Sequence, residues 1–161
     1  MKITFLVTGK NKNTYLTEGI KEYIKRMEKY ISFEFKEIPG VKSTKKYSIE
    51  EIKQREGEAI LKQIPANAYL ILLDERGKQM NSENFAIWIK KSMIQSTQHL
   101  VFVVGGAYGF SETVYKAASA KLSLSTMTFS HQVIRLMFME QIYRAFTIIN
   151  GEPYHHGEKQ T

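Results

Sequence analysis

A chain of 161 residues with 43% hydrophobic and 24% charged side chains falls in the one-domain range, where roughly 70% of the unfolded surface is buried on folding. That composition excludes a disordered protein, and the absence of cysteine excludes a disulfide framework, a thiolate zinc site and a cysteine nucleophile. The formal charge of +7 suits a polyanion partner, with Lys and Arg outnumbering Asp and Glu 14 to 9 over residues 1–65, yet a solvated lysine-rich face gives the same count.

Ile3 to Val7 reads as a strand, and Leu16, Ile20, Tyr23, Ile24, Met27 and Tyr30 then recur at helical spacing. Ser32 to Ile38 alternates as a second strand, Pro39-Gly40 breaks it, and Val41 to Tyr47 is a lysine-rich loop. Ser48 followed by Glu51 is a capping-box signature that starts a helix running to about Gln63. Ala68 to Leu73 is a continuous apolar run, as a strand buried on both faces requires, and it is expected to stop at Asp74 before a polar loop through Gly77. A helix over about 82–95 leads to a second buried strand, His99 to Val104, which runs straight into Gly105-Gly106. A helix near 111–118, a short strand at Leu122 to Leu124 and a long helix from about His131 to Ile149 complete the alternation. The expected fold class is α/β, a mostly parallel sheet with helices on both faces, in one domain over 1–161 with a disordered tail at 156–161.

In open parallel sheets ligands bind beyond the carboxyl ends of strands, which directs attention to the segments after Leu73, Val104 and Leu124. Gly105-Gly106-Ala107-Tyr108-Gly109 has the spacing G-G-x-x-G, which is neither the dinucleotide fingerprint nor a P-loop; it suits close backbone approach to a ligand, and equally a tight turn. Leu124-Ser125-Thr126-Met127-Thr128-Phe129 mixes hydroxyl and apolar groups as an adenine and a ribose would require, although Thr128 or Ser130 also serves as an N-cap for the helix that follows. That helix is apolar almost all round, so both of its faces should be covered, one of them by a partner subunit in a twofold homodimer. His131 and Arg135 share one face, and Glu140 and Arg144 the opposite one. Either arginine could hold phosphate or an oxyanion, and Glu140 with Arg144 could equally be a structural ion pair. His155-His156 has no carboxylate at ligand spacing, so no metal is expected. No signal-peptide pattern opens the chain and no apolar run reaches about 20 residues, which reads as cytoplasmic with no membrane partner.

Taken together, several segments resemble the bacterial ribosomal RNA large subunit methyltransferase H family, a branch of the knotted SPOUT methyltransferases. They are Met1-Lys2-Ile3 leading to Gly9-Lys10, Leu73 through Gly77-Lys78, Phe102-Val103-Val104-Gly105-Gly106 with Gly109, Leu122 to Gln132, Glu140 to Ala145, and Pro153-Tyr154-His155. The resemblance implies a C-terminal trefoil knot, an obligate homodimer, and S-adenosyl-L-methionine held by the loops at Leu73, at Gly105 and at Leu124, Ser125, Thr126, Met127, Thr128 and Phe129. It also implies methylation of N3 of a pseudouridine in large-subunit (23S) rRNA, on the assembled ribosome. For that chemistry the expected groups are His155 as base, Arg144 to stabilise the oxyanion, Tyr154 against the acceptor base, and Glu140 beside Arg144. A non-enzymatic basic RNA-binding module is the alternative. Two departures from the family stand out: Ser130 replaces a common proline, which should loosen the helix start, and the chain continues past His155.

Overall fold

The computed structural model describes residues 1–42 and 45–156; the expected tail beyond His156 and two residues of the lysine-rich loop lie outside them. The elements are β1 (Lys2–Thr8), α1 (Thr14–Met27), β2 (Ser32–Ile38), α2 (Ile49–Leu61), β3 (Tyr69–Gln79), α3 (Ser82–Ile94), β4 (His99–Val104), α4 (Glu112–Ala117), β5 (Ala120–Ser123) and α5 (Val133–Ile149). The strands pair in the order β2-β1-β4-β3-β5, and every named pairing is parallel.

Strand period decides which residues meet which helices. Ile3, Phe5, Val7, Ile71, Leu100, Phe102 and Val104 point to one face, where they pack with Ile20 and Met27 of α1, Phe85 and Ile89 of α3, and Phe138, Met139, Ile142 and Phe146 of α5. Leu6, Leu70, Leu72, Val101 and Val103 point to the other, against Ile60 of α2 and Val114 of α4. Phe138 sits at the centre of the first layer, with its ring centroid 4.5 Å from Phe5 and 4.8 Å from Phe102.

Local signals set most boundaries. Ser48 caps α2 by accepting the Glu51 N–H at 3.2 Å, Asn81 caps α3 through the Asn84 N–H at 2.8 Å, and Ser111 accepts from Val114 N–H at 3.4 Å to start α4. Ser130 accepts the Val133 N–H at 3.1 Å, so the serine in place of proline supplies a polar cap at the start of α5.

β3 departs from the sequence reading. It does not stop at Asp74 but bulges between Leu73 and Lys78 and rejoins β5 at Leu122 and Ser123. Hydrophobic pattern cannot reveal this, because the second half pairs through its backbone alone. Gly77 makes it feasible: a Cβ there would lie 2.6 Å from the Leu122 backbone.

The apolar girdle of α5 is also partly explained within the chain. The helix lies over the sheet between α1 and α3, so its own neighbours cover flanks that a second subunit would otherwise have to cover, while Met137 remains exposed.

Candidate active site

Because β4, β3 and β5 are adjacent in the sheet, the segments after Val104, Leu73 and Ser123 emerge side by side at its carboxyl edge. Together they enclose a cavity of about 590 Å³. Leu73, Gly105, Leu124, Ser125, Met127, Thr128 and Phe129 all line it; Thr126 is exposed on the same loop and does not. Sequence reasoning overlooked several other wall residues, notably Asp74, Glu75, Arg76, Tyr115, His131 and Ile134. The first three lie in the segment after Leu73 to which the strand-end rule points without singling them out; Tyr115 and His131 carry no such signal.

The walls are braced by specific bonds. Ser123 Oγ donates to the Ser125 carbonyl at 2.9 Å, and Ser125 Oγ accepts from the Met127 N–H at 2.9 Å, which curls the last loop back on itself. Thr128 donates to Glu75 at 3.3 Å and so joins that loop to the β3 bulge. Asp74 accepts from the Arg76 N–H at 2.8 Å and from the Tyr115 hydroxyl. Burial, then that bond to Asp74, holds the Tyr115 phenol above its ordinary range, so it is neutral and donates.

The glycine loop is a turn that also brings backbone to the cavity. Gly109 has φ +81° and its N–H donates to the Gly106 carbonyl at 3.1 Å. A Cβ on Gly106 would collide with the buried Glu56 carboxylate of α2, which supports the loop from behind. Burial raises the Glu56 pKa, and a hydrogen bond from the Val41 backbone opposes the rise.

At the mouth, burial and the nearby cations of Arg135 and Lys12 lower the His131 pKa, so its ring is neutral at pH 7. Arg135 does not face a ligand. It is fully buried and donates to the carbonyls of Thr8 at 2.7 Å, Gly9 at 2.9 Å and His131 at 3.0 Å, and to Asn11 Oδ1 at 2.8 Å. Desolvation pulls its pKa down to about 10, against Glu37, and it is still a cation at neutral pH. Its role is to pin the end of β1 to the start of α5.

The remaining site residues form a second group. Arg144 forks onto Glu140, with Nη2 at 2.5 Å and Nε at 3.1 Å from Oε1, so the ion pair weighed from the sequence is present. The Tyr154 hydroxyl donates to the same Oε1 at 3.1 Å, and the Arg144 guanidinium lies 4.8 Å from the Tyr154 ring centroid. Burial first, then bonds to Tyr23 and Glu140, push the Tyr154 phenol well above its usual range. His155 contacts Arg144 through Nδ1 at 3.0 Å and Glu83 of α3 through Nε2 at 2.8 Å.

None of these four lines the first cavity. Nor do they line a second one of about 440 Å³, but their partners Glu83 and Gln141 do, with Ser82, and that cavity shares Leu124, Ser125, Phe129 and Ile134 with the first. Gln141 connects the two groups by accepting from Ser82 at 2.8 Å and donating to Glu140 at 3.0 Å. The structure therefore shows a roomy cavity framed by strand ends, and beside it a cation, a carboxylate, a phenol and an imidazole held together. That pairing suits binding of a small cofactor next to proton and charge handling. Among the described residues no group of three or more His, Asp or Glu side chains gathers as a metal site, and no helix is long and apolar enough to cross a membrane.

A family model described as "Predicted SPOUT methyltransferase" matches residues 1–155, and the chain belongs to that family of methyl-transferring enzymes. The chain is 55% identical over 156 residues to a protein of Parabacteroides distasonis named ribosomal RNA large subunit methyltransferase H, a match covering 97% of this chain and 99% of that one. Proteins of the same name from Bacteroides thetaiotaomicron and Flavobacterium johnsoniae are 50% and 49% identical over the same coverage. Family membership favours the enzyme over the RNA-binding module.

Proposed function

We propose that this chain transfers a methyl group from S-adenosyl-L-methionine to N3 of a pseudouridine in 23S rRNA of the large ribosomal subunit, acting on the assembled ribosome in the cytoplasm as a knotted homodimer. The observation that carries the reading is the convergence of the ends of β4, β3 and β5 on one cavity, beside the Glu140, Arg144, Tyr154 and His155 group. The relatives' shared name supplies the substrate class.

The cavity fits the cofactor. Small-molecule sites span roughly 300–1,000 Å³, and this one lies within that range. Leu73, Leu124 and Ile134 offer apolar surface for an adenine, the Ser125 and Thr128 hydroxyls suit a ribose, and the Gly105-Gly106 backbone is open to hydrogen bonding. Asp74 and Glu75 place carboxylates near a ligand that carries positive charge. When bound, the cofactor supplies an electrophilic methyl group on sulfur, and no metal is needed.

The chain's own residues do the rest. An acceptor N3–H must lose its proton, leaving charge on the flanking carbonyl oxygens, and these needs fall to His155 and Arg144 respectively. Tyr154, held neutral, presents an aromatic face and a hydroxyl to the acceptor base. Glu140 orients both Arg144 and Tyr154 through one oxygen. The test uses ribosomes from cells in which the gene is deleted: incubation with protein and cofactor should add one methyl to a pseudouridine, read by mass spectrometry of digested rRNA. Cofactor binding by calorimetry with no transfer to any rRNA nucleotide would refute the assignment.

A further inference from the structure

We propose that Glu83 is the positioning residue for His155, and that Glu83 and Arg144 together hold the ring in a single neutral tautomer with the proton on Nε2 and the lone pair at Nδ1. The inference rests on the reading of His155 as base and goes beyond it by naming which nitrogen accepts the proton and what supports the resulting imidazolium.

The argument starts from what each group can donate. Guanidinium has only N–H donors and no acceptor, so the 3.0 Å contact from Arg144 Nη1 requires an unprotonated Nδ1. In the neutral ring the proton then sits on Nε2, where Glu83 Oε1 accepts it at 2.8 Å. Glu83 occupies the first turn of α3, behind the Asn81 cap, where the helix N-terminus favours a carboxylate. The bond from His155 lowers the Glu83 pKa, which keeps the acceptor charged.

The rest of the surroundings make this arrangement a poised one. Nε and Nη2 of Arg144 are tied to Glu140, so only its Nη1 arm is free to exchange partners. An acceptor N3–H arriving at His155 Nδ1 displaces that arm, which is then at hand for the neighbouring carbonyl oxygen. The N3 proton passes to Nδ1 while the electron pair stays on N3, and the imidazolium so formed faces Glu83 on its opposite edge. Among the described residues, the charged or titratable groups around the ring are Arg144 and Glu140 from α5, Glu83 from α3, and Tyr154 and His156 on the tail, and of their carboxylates Glu83 alone contacts the ring.

Two measurements test the proposal on the full-length protein with cofactor bound. Long-range proton–nitrogen NMR at pH 7.5, with His155 identified by its loss in His155→Ala, should show Nδ1 unprotonated and Nε2 protonated. In Glu83→Gln the amide oxygen still accepts from Nε2, so the tautomer should persist while the charge is gone. In that variant kcat falls by about threefold to tenfold and the acidic limb of the pH–rate profile moves to lower pH. Cofactor affinity and KM for ribosomes stay as in the parent, and an unchanged melting temperature shows that the fold is intact. An Nδ1–H tautomer, or a Glu83→Gln protein with the parent's turnover and pH–rate profile while His155→Ala is inactive, would overturn the proposal. Parental turnover by His155→Ala is a different result, since it removes the base role itself.

Discussion

Replacing Arg135 by methionine keeps most of the side-chain volume and removes the guanidinium, leaving its four acceptors on Thr8, Gly9, Asn11 and His131 to find other partners. Asn11 is half-buried and its side chain can turn to water, whereas the backbone carbonyls around a fully buried side chain cannot all do so. At about 1 kcal/mol for each of three stranded carbonyls, the loss is about 3 kcal/mol. Removing a buried cation also removes its desolvation cost, which makes this a central figure rather than a floor. For a domain of this size the change corresponds to a fall in melting temperature of about 6–12 °C, measurable by calorimetry alongside urea denaturation. A methionine variant melting within about 2 °C of the parent would show that the buried arginine is not the clamp described above.

Gly77→Ala places a methyl against the rigid Leu122 backbone rather than against a movable side chain, so it should unfold at distinctly lower urea and lose protection of the β3–β5 pairing in hydrogen exchange. Glu56→Gln tests the buried carboxylate by its pH dependence. A carboxyl whose folded pKa lies above its unfolded value penalises the folded state at neutral pH and loses that penalty as pH falls through the folded pKa. The glutamine variant is therefore expected to be at least as stable as the parent at pH 7.5, with the difference shrinking towards pH 4.5 in thermal melts. Gly106→Val should drive a side chain into Glu56 and displace the loop, lowering cofactor affinity by more than about tenfold in calorimetry while the secondary structure is retained.

Much of the scaffold was legible because it depends on local signals. Ser32–Ile38 and His99–Val104 match their expected bounds, since alternation in one and an unbroken apolar run in the other are direct marks of burial. Ser48 announced its helix by side-chain chemistry alone. The second half of β3 was not legible, because Asp74 to Gln79 pairs by backbone around a bulge and carries no apolar period. The same limit holds at the site. Loop positions followed from the rule that ligands gather at strand ends, but Glu83, Gln141 and Ser82 join the site only because α3 packs against α5, a contact of high sequence separation. Arg135 shows the converse: helical pattern alone left two arginines on one helix equal, the resemblance singled out Arg144, and burial against the end of β1 makes Arg135 a structural cation apart from the one beside the tail.

The bulge in β3 has a bearing on ligand entry. A conventional strand-to-helix loop is free along its length and must surrender conformational entropy when it closes on a small molecule. Here the segment from Asp74 to Gly77 is stitched into the sheet on either side, at Leu73 and at Lys78. That rim is already rigid before anything binds, so less of the intrinsic affinity is consumed in ordering it.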